Sequence, residues 1–351
     1  MNDALQSLFA LPSPPPRPFA GQLTPEFQKQ LRDAHARVQP DDCHFYHTLD
    51  LGNGVVIPGG WDIRGNENNY MGHVRYDGLR VLEFGAASGY LTFWMESQGA
   101  NVVALDLPPG HAPDLVPLPG VDLNANAASG TVTAEQVRNS WWYGHRKRGS
   151  NASALYADIY RLPGDIGRFD VSTFGSILLH LGNPFKALSE AALVTDKAIV
   201  VTDLLPGIIY GEEGSSLIEF NPGNETKNLV NWWNFSPGAI ARMFRVLGFP
   251  HVDIHYFENA YHPHHDPKAA PHTRFMFAAV GQRDPGSLIR VSKNETENRT
   301  DKRLREVVPR INVEAYNDAH RRLQEANGRL EKIYRSLAWK LTKPLRLLMG
   351  P

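Results

Sequence analysis

The chain has 351 residues, 42% of them hydrophobic, so it can form one large domain or two ordinary ones around a sizeable core. A formal net charge of −1 excludes nucleic-acid binding driven by bulk charge, and the single cysteine, Cys43, excludes an internal disulfide and fits a reducing cytoplasm. No window approaches the roughly 18 apolar residues of a spanning helix, and the first residues lack the basic start and long apolar run of a secretory signal.

In chain order, residues 1–40 read as an arm and a short helix. LPSPPPRP at 11–18 has too many prolines for a helix interior or a central strand, and 25–38 suits a helix. A main domain is expected over 41–283, with a cap at 41–78 and a core at 79–283. The cap segment HFYHTLDLGNGVVIPGGWDIRG has a hairpin signal at Asn53-Gly54. The core then alternates. LRVLEF is a strand, YLTFWMESQG a helix closed by Gly99, and NVVALDL a second strand. NASALYADIY, RFDVSTFGSILLHL and KAIVVTDLL supply three more strands. SPGAIARMFRVLGF is a helix with Ser236 as N-cap, Pro237 in its first turn and Gly248 as stop, and the strands HVDIHYF and TRFMFAAVG follow. The alternation predicts an α/β fold, a doubly wound, mostly parallel sheet with an antiparallel edge. Residues 284–351 read as a polar linker and a helical tail.

Between the first strand and its helix stands Gly85-Ala86-Ala87-Ser88-Gly89. A dinucleotide fingerprint, G-x-G-x-x-G, needs glycine where this chain has Ala87 and Tyr90. Glu83 just before the turn suits a cationic ligand better than a pyrophosphate. Asp106 ends the second strand, where an acid can take ribose hydroxyls.

VLEFGAASGY, with the downstream acids Asp106 and Asp158, resembles the first motifs of class I S-adenosylmethionine-dependent methyltransferases. The resemblance implies a Rossmann-like core and S-adenosylmethionine as cofactor. It places Glu83, Gly85, Ala87 and Gly89 at the turn, Asp106 and Leu107 at the ribose, and Asp158 and Ile159 at the adenine, with Phe174 on the fourth strand completing the cofactor set. FYHTLDL with Trp61-Asp62 and Arg64, LLHLGNPFKAL, and NWWNFSPGAIARMFRVLGF are similar to a bacterial subgroup related to the tRNA wobble-uridine carboxymethyltransferases. The lysine- and tryptophan-rich segment associated with a carboxylated cofactor is absent, so the ordinary cofactor is expected.

His180, in LLHLGNP beyond the fourth strand, is the candidate base for methyl transfer to oxygen. Trp61, Arg64, Tyr143 and His145 are candidate acceptor contacts; the last two lie in the aromatic, basic stretch NSWWYGHRKRGSN, whose alternative reading is core tryptophans with a solvated end. The histidines of YHPHHDPKAAPH, from His262 to His272, sit among prolines without a helical ligand spacing, and no metal is expected. Residues 332–351 carry five basic side chains, no acid and a leucine-rich remainder. They read as a peripheral contact with the inner membrane surface or, through Leu323, Leu330 and Leu337, as a homodimer helix.

The expected function is transfer of a methyl group to a hydroxyl of a small-molecule acceptor, a sugar or glycan intermediate, in the cytoplasm. An RNA-modifying (tRNA) methyltransferase is the alternative, although nucleic acid is not expected as a partner on charge. A non-catalytic, membrane-associated scaffold is a second alternative.

Overall fold

The computed structural model describes residues 21–52, 54–205, 216–222, 228–262 and 270–306. The proline-rich arm, most of the histidine-rich loop and the basic tail lie outside them.

Helix α1, Pro25–Ala34, starts where Thr24 accepts the Phe27 amide. A hairpin of β1, Leu49–Asp50, and β2, Val56–Ile57, follows, then β3, Trp61–Asp62, and the single-turn helix α2, Glu67–Tyr70. The core begins with β4, Arg80–Phe84, helix α3, Tyr90–Ser97, and β5, Asn101–Asp106. Helix α4, Leu123–Arg148, is capped by Asp122 and leads to β6, Ser153–Tyr156, and β7, Phe169–Gly175. Helix α5, Pro184–Val194, runs directly into β8, Thr195–Leu204. Two short strands, β9, Ile218–Phe220, and β10, Trp233–Phe235, pair with each other. Helix α6, Pro237–Val246, has the expected Ser236 cap, and the long strands β11, His251–Tyr261, and β12, His272–Gln282, end the sheet.

Eight strands form one sheet in the order β3-β11-β12-β8-β7-β4-β5-β6. Strands β6, β5, β4, β7 and β8 are parallel, and β12 runs antiparallel to both β8 and β11. The fold is therefore the expected α/β class, with its antiparallel side at β11–β12. Period-two alternation divides the core. Val81, Ala104, Val171 and Val200 face Phe93, Trp141 and Trp142 of α3 and α4. Leu82, Val103, Ile199 and Val201 face Leu188 of α5 and Phe244 of α6. The chain winds to one side of β4 through β5 and β6 and to the other through β7 and β8, so the topological switch point lies between β4 and β7. A crevice opens there beyond the strand C-termini.

Two differences from the expectation concern the ends. The segment from residue 284, expected as a linker, folds back onto the domain. Arg75 donates to the Ile289 carbonyl and Val291 to that of His73, residues 295–306 are helical, and Leu288 and Leu304 are buried. Asp301, held by Lys293 and Arg305, accepts the Tyr256 amide. At the other end, the amide side chains of Gln22 and Gln28 hydrogen-bond the free edge of β6: each donates to and accepts from one residue, Gln28 at Ala154 and Gln22 at Tyr156. They stand where a further strand would lie.

Candidate cofactor and acceptor site

The turn after β4 is shaped by Gly85 and Gly89, both at positive φ, and by Ala87, a non-glycine residue at φ 48°. A Cβ on Gly89 would come within 2.7 Å of Phe93 and Trp141, so glycine lets α3 and α4 close over the turn. The turn is locked from two sides. Ser88 Oγ accepts the Tyr46 amide from the cap at 2.6 Å, and the Ala87 amide donates to Asp106 Oδ2 at 3.2 Å.

Asp106 also accepts the Leu107 amide at 2.7 Å. Burial pushes its carboxyl above the ordinary value, opposed by these two amides and by Arg138. Beside it lies a cavity of about 410 Å³ over the C-terminal ends of β4, β5 and β6. Gly85 and Asp106 are in its wall, Leu105, Leu107, Pro108, Ile159, Ile177 and Leu181 make it mostly apolar, and Asp158 and His180 stand in the lining.

His180 closes a 3₁₀ turn, Leu178–His180, after β7. Its Nδ1 lies 2.8 Å from the Val230 carbonyl. A carbonyl only accepts, so Nδ1 carries the proton and Nε2 holds the lone pair. Burial lowers its pKa, with the Val230 carbonyl and the Asn231 side chain acting in the opposite sense, so the balance favours the neutral ring.

The structure thus brings together Gly85, Asp106, Leu107, Asp158, Ile159 and His180. Ala87 and Gly89 shape the turn without lining the cavity. Glu83 and Phe174 lie beneath it. Phe174 is buried and stacks on Phe84 with ring centroids 4.2 Å apart. Glu83 is buried and accepts from Thr92 of α3, because it shares the Val81 face of β4. Burial pushes its carboxyl up to about 7, and Asp106, not Glu83, is the acid in the cavity wall. Trp61 and Arg64 stand at the far sheet edge, Trp61 against Tyr261 and Arg64 paired with Asp62 at 2.6 Å. Tyr143 and His145 do not line the cavity. His145 is buried against Trp141 and Trp142 and bonds to the Ala152 carbonyl, so the aromatics are core; of the basic end, Arg146 donates to the carbonyls of His35, Ala36 and Val38 and Arg148 to that of Asp50, and Lys147 is exposed.

The sequence reading missed His111, Asp114 and Tyr160 in the lining. Asp114 accepts from Tyr160 Oη and from the Gly182 amide, and its own carbonyl accepts from Trp232 Nε1 at 3.1 Å. It ties together the loops after β5, β6 and β7. The signal was faint, one acid within the proline-rich run PPGHAPDLVPLPG. Among the described residues no group of three or more His, Cys, Asp or Glu is placed to hold a metal.

No protein-family model and no curated protein matches the chain. Solved structures similar to it include the N-terminal domain of EvdMO1 in the presence of S-adenosylhomocysteine and D-fucose, at 15% identity over 75% of this chain and 99% of that one, with a TM-score of 0.41. Another is 1,6-didemethyltoxoflavin-N1-methyltransferase from Burkholderia thailandensis, at 16% identity over 74% and 85% of the two chains, TM-score 0.39. A third is magnesium protoporphyrin IX methyltransferase from Synechocystis PCC 6803, at 13% identity over 59% and 71%, TM-score 0.34.

Proposed function

We propose that this chain transfers a methyl group from S-adenosylmethionine to a hydroxyl of a sugar or glycan intermediate. The observation that carries the cofactor reading is the bond from the Ala87 amide to Asp106. It occupies the turn's donor with a carboxylate at the place where a dinucleotide enzyme presents free amides to a pyrophosphate. A nucleoside without phosphate fits this arrangement. In this reading Asp106 accepts its ribose hydroxyls, Leu107 and Ile159 offer apolar faces for adenine, and Asp158, in the lining of the same cavity, takes the amino group. S-adenosylmethionine, when bound, supplies an activated methyl group and an uncharged thioether leaving group.

Transfer to oxygen requires a proton to leave the acceptor hydroxyl, and His180 holds its lone pair on Nε2 for that proton. An aromatic hairpin flanks this side. Val230 and Trp232 bond to His180 and to the Leu179 carbonyl, and Phe220, 55% exposed, lies 5.2 Å from Trp233. Such faces suit the apolar side of a pyranose.

The test is turnover of methyl-labelled S-adenosylmethionine against nucleotide sugars, glycolipids and tRNA. Label on a sugar hydroxyl supports the reading, and label on tRNA alone refutes it. His180→Ala should lower kcat by roughly 10²–10⁴ with cofactor affinity nearly intact; full activity in that variant would move the base elsewhere.

A further inference from the structure

Asp203 is the penultimate residue of β8, at the C-terminal edge of the sheet and one strand beyond β7, which leads to His180. It is 3% exposed. Its Oδ1 accepts the Leu204 amide at 2.8 Å, while Oδ2 is buried without a hydrogen-bond partner among the described residues. Buried carboxyl oxygens are rarely left so, and each exception calls for an explanation.

The surroundings supply one. The Ser176 amide donates to the Thr202 carbonyl, which sets the end of β7 beside Asp203. Ser176 itself is at φ 51°, a strained conformation for a non-glycine residue, and its Oγ meets Tyr70 Oη at 2.8 Å. Tyr46, whose amide is tied to the cofactor turn through Ser88, is near enough to feel the Asp203 charge. These groups therefore gather at the β7–β8 side of the crevice, next to the cofactor cavity over β4–β6. A ligand of an open α/β sheet lies beyond the strand C-termini, and Asp203 stands at that end of β8, the strand next to β7.

We propose that Asp203 is a specificity-determining residue that accepts a hydrogen bond on Oδ2 from a second hydroxyl of the acceptor, so that the acceptor is a polyol held by one hydroxyl at Asp203 while another faces His180. This rests on the methyltransferase reading and narrows its substrate to molecules with at least two hydroxyls. Burial, with only the Leu204 amide opposing it, pushes the Asp203 carboxyl up to about 7, as expected of a group that waits for a ligand donor rather than a protein one. The titratable groups facing it from the cap are Tyr46 and Tyr70, both raised by burial, Tyr46 to about 12. Neither titrates near neutrality. Glu83, which lies near Tyr70, is pushed up to about 7, so an Asp203 variant is the control that separates the two carboxyls.

The experiment uses the full chain saturated with S-adenosylhomocysteine and, as probes, the methyl glycosides of glucose, galactose and mannose, followed by saturation-transfer NMR. Asp203→Asn keeps an oxygen for the Leu204 amide and turns Oδ2 into a donor. The proposal expects probe binding in the wild type that weakens below about pH 7, and a loss of roughly ten- to a hundred-fold in the variant without that pH dependence. S-adenosylhomocysteine affinity and Tm should be unchanged, or Tm raised, because an unpartnered buried carboxylate has been removed. Equal probe affinity in both proteins, or no probe binding by the wild type, overturns the proposal. A variant that loses Tm together with probe binding shows a structural role and overturns it as well. Failure of the wild type to bind S-adenosylhomocysteine refutes the cofactor reading itself, and the proposal with it.

Discussion

Glu83 and Asp106 are acids at the ends of neighbouring parallel strands, yet they do different work. Asp106 meets the cavity, whereas Glu83 points between β4 and α3 and accepts from Thr92, which in turn accepts from Trp141 Nε1 at 3.2 Å. Its folded pKa of about 7 lies above the ordinary 4.5, so the fold binds this proton more tightly than the unfolded chain does. Stability attributable to Glu83 is therefore fully present below about pH 4.5 and is lost as pH rises towards 7. A shift of this size corresponds to roughly 3 kcal/mol. Glu83→Gln, which can still accept from Thr92, should raise Tm above the wild type at pH 8, with the difference vanishing near pH 4.5; thermal melts at the two pH values check this. Strand-end position was enough to place Asp106, Asp158 and His180 at the crevice from the sequence. It could not reveal which way Glu83 turns, because that depends on Thr92 and Trp141, which reach it only through the packing of α3 and α4.

Among the elements, the strands were the most legible, because apolar runs bounded by Gly, Pro and Asn mark buried parallel strands directly. Helix α4 was harder. Its first half, LNANAASGTVTAEQ, carries little apolar periodicity, and only its second half packs tryptophans into the core. Helix α5 was passed over because it is short and joins β8 without a turn signal. The role of α1 was invisible for a different reason: Gln22 and Gln28 act through long-range bonds to β6, which polarity alone does not announce. Their amides cover a sheet edge that would otherwise be open to pairing with another chain. Gln28→Ala should leave the Ala154 amide and carbonyl unpaired, costing about 1–3 kcal/mol in chemical denaturation, and should increase aggregation on heating. An unchanged midpoint would show that water replaces the side chain without loss. Ser236→Ala removes the acceptor of both the Ala239 and Leu217 amides and should cost about 1–2 kcal/mol by the same measurement.

For the molecule as a whole, one sheet supports a cavity on one side of its switch point, proposed to hold the cofactor, and a proposed acceptor edge on the other. Among the described residues no helix is long and apolar enough to cross a membrane. The five basic residues after Glu331 are proposed to bring the domain to an anionic surface, each contributing about 1 kcal/mol that salt screens. Truncation after Arg329 should abolish sedimentation with anionic vesicles while sparing methyl transfer to a soluble acceptor. A dimer-to-monomer change with no vesicle binding in the full chain would assign the tail to self-association. The central claim is that the crevice holds S-adenosylmethionine, and calorimetry of the full chain with S-adenosylmethionine and, separately, NAD tests it most directly. The account predicts binding of S-adenosylmethionine but not NAD, weakened by about 1.5–3 kcal/mol in Asp106→Ala; tighter binding of NAD, or an Asp106→Ala variant that binds S-adenosylmethionine as well as the wild type does, would contradict it.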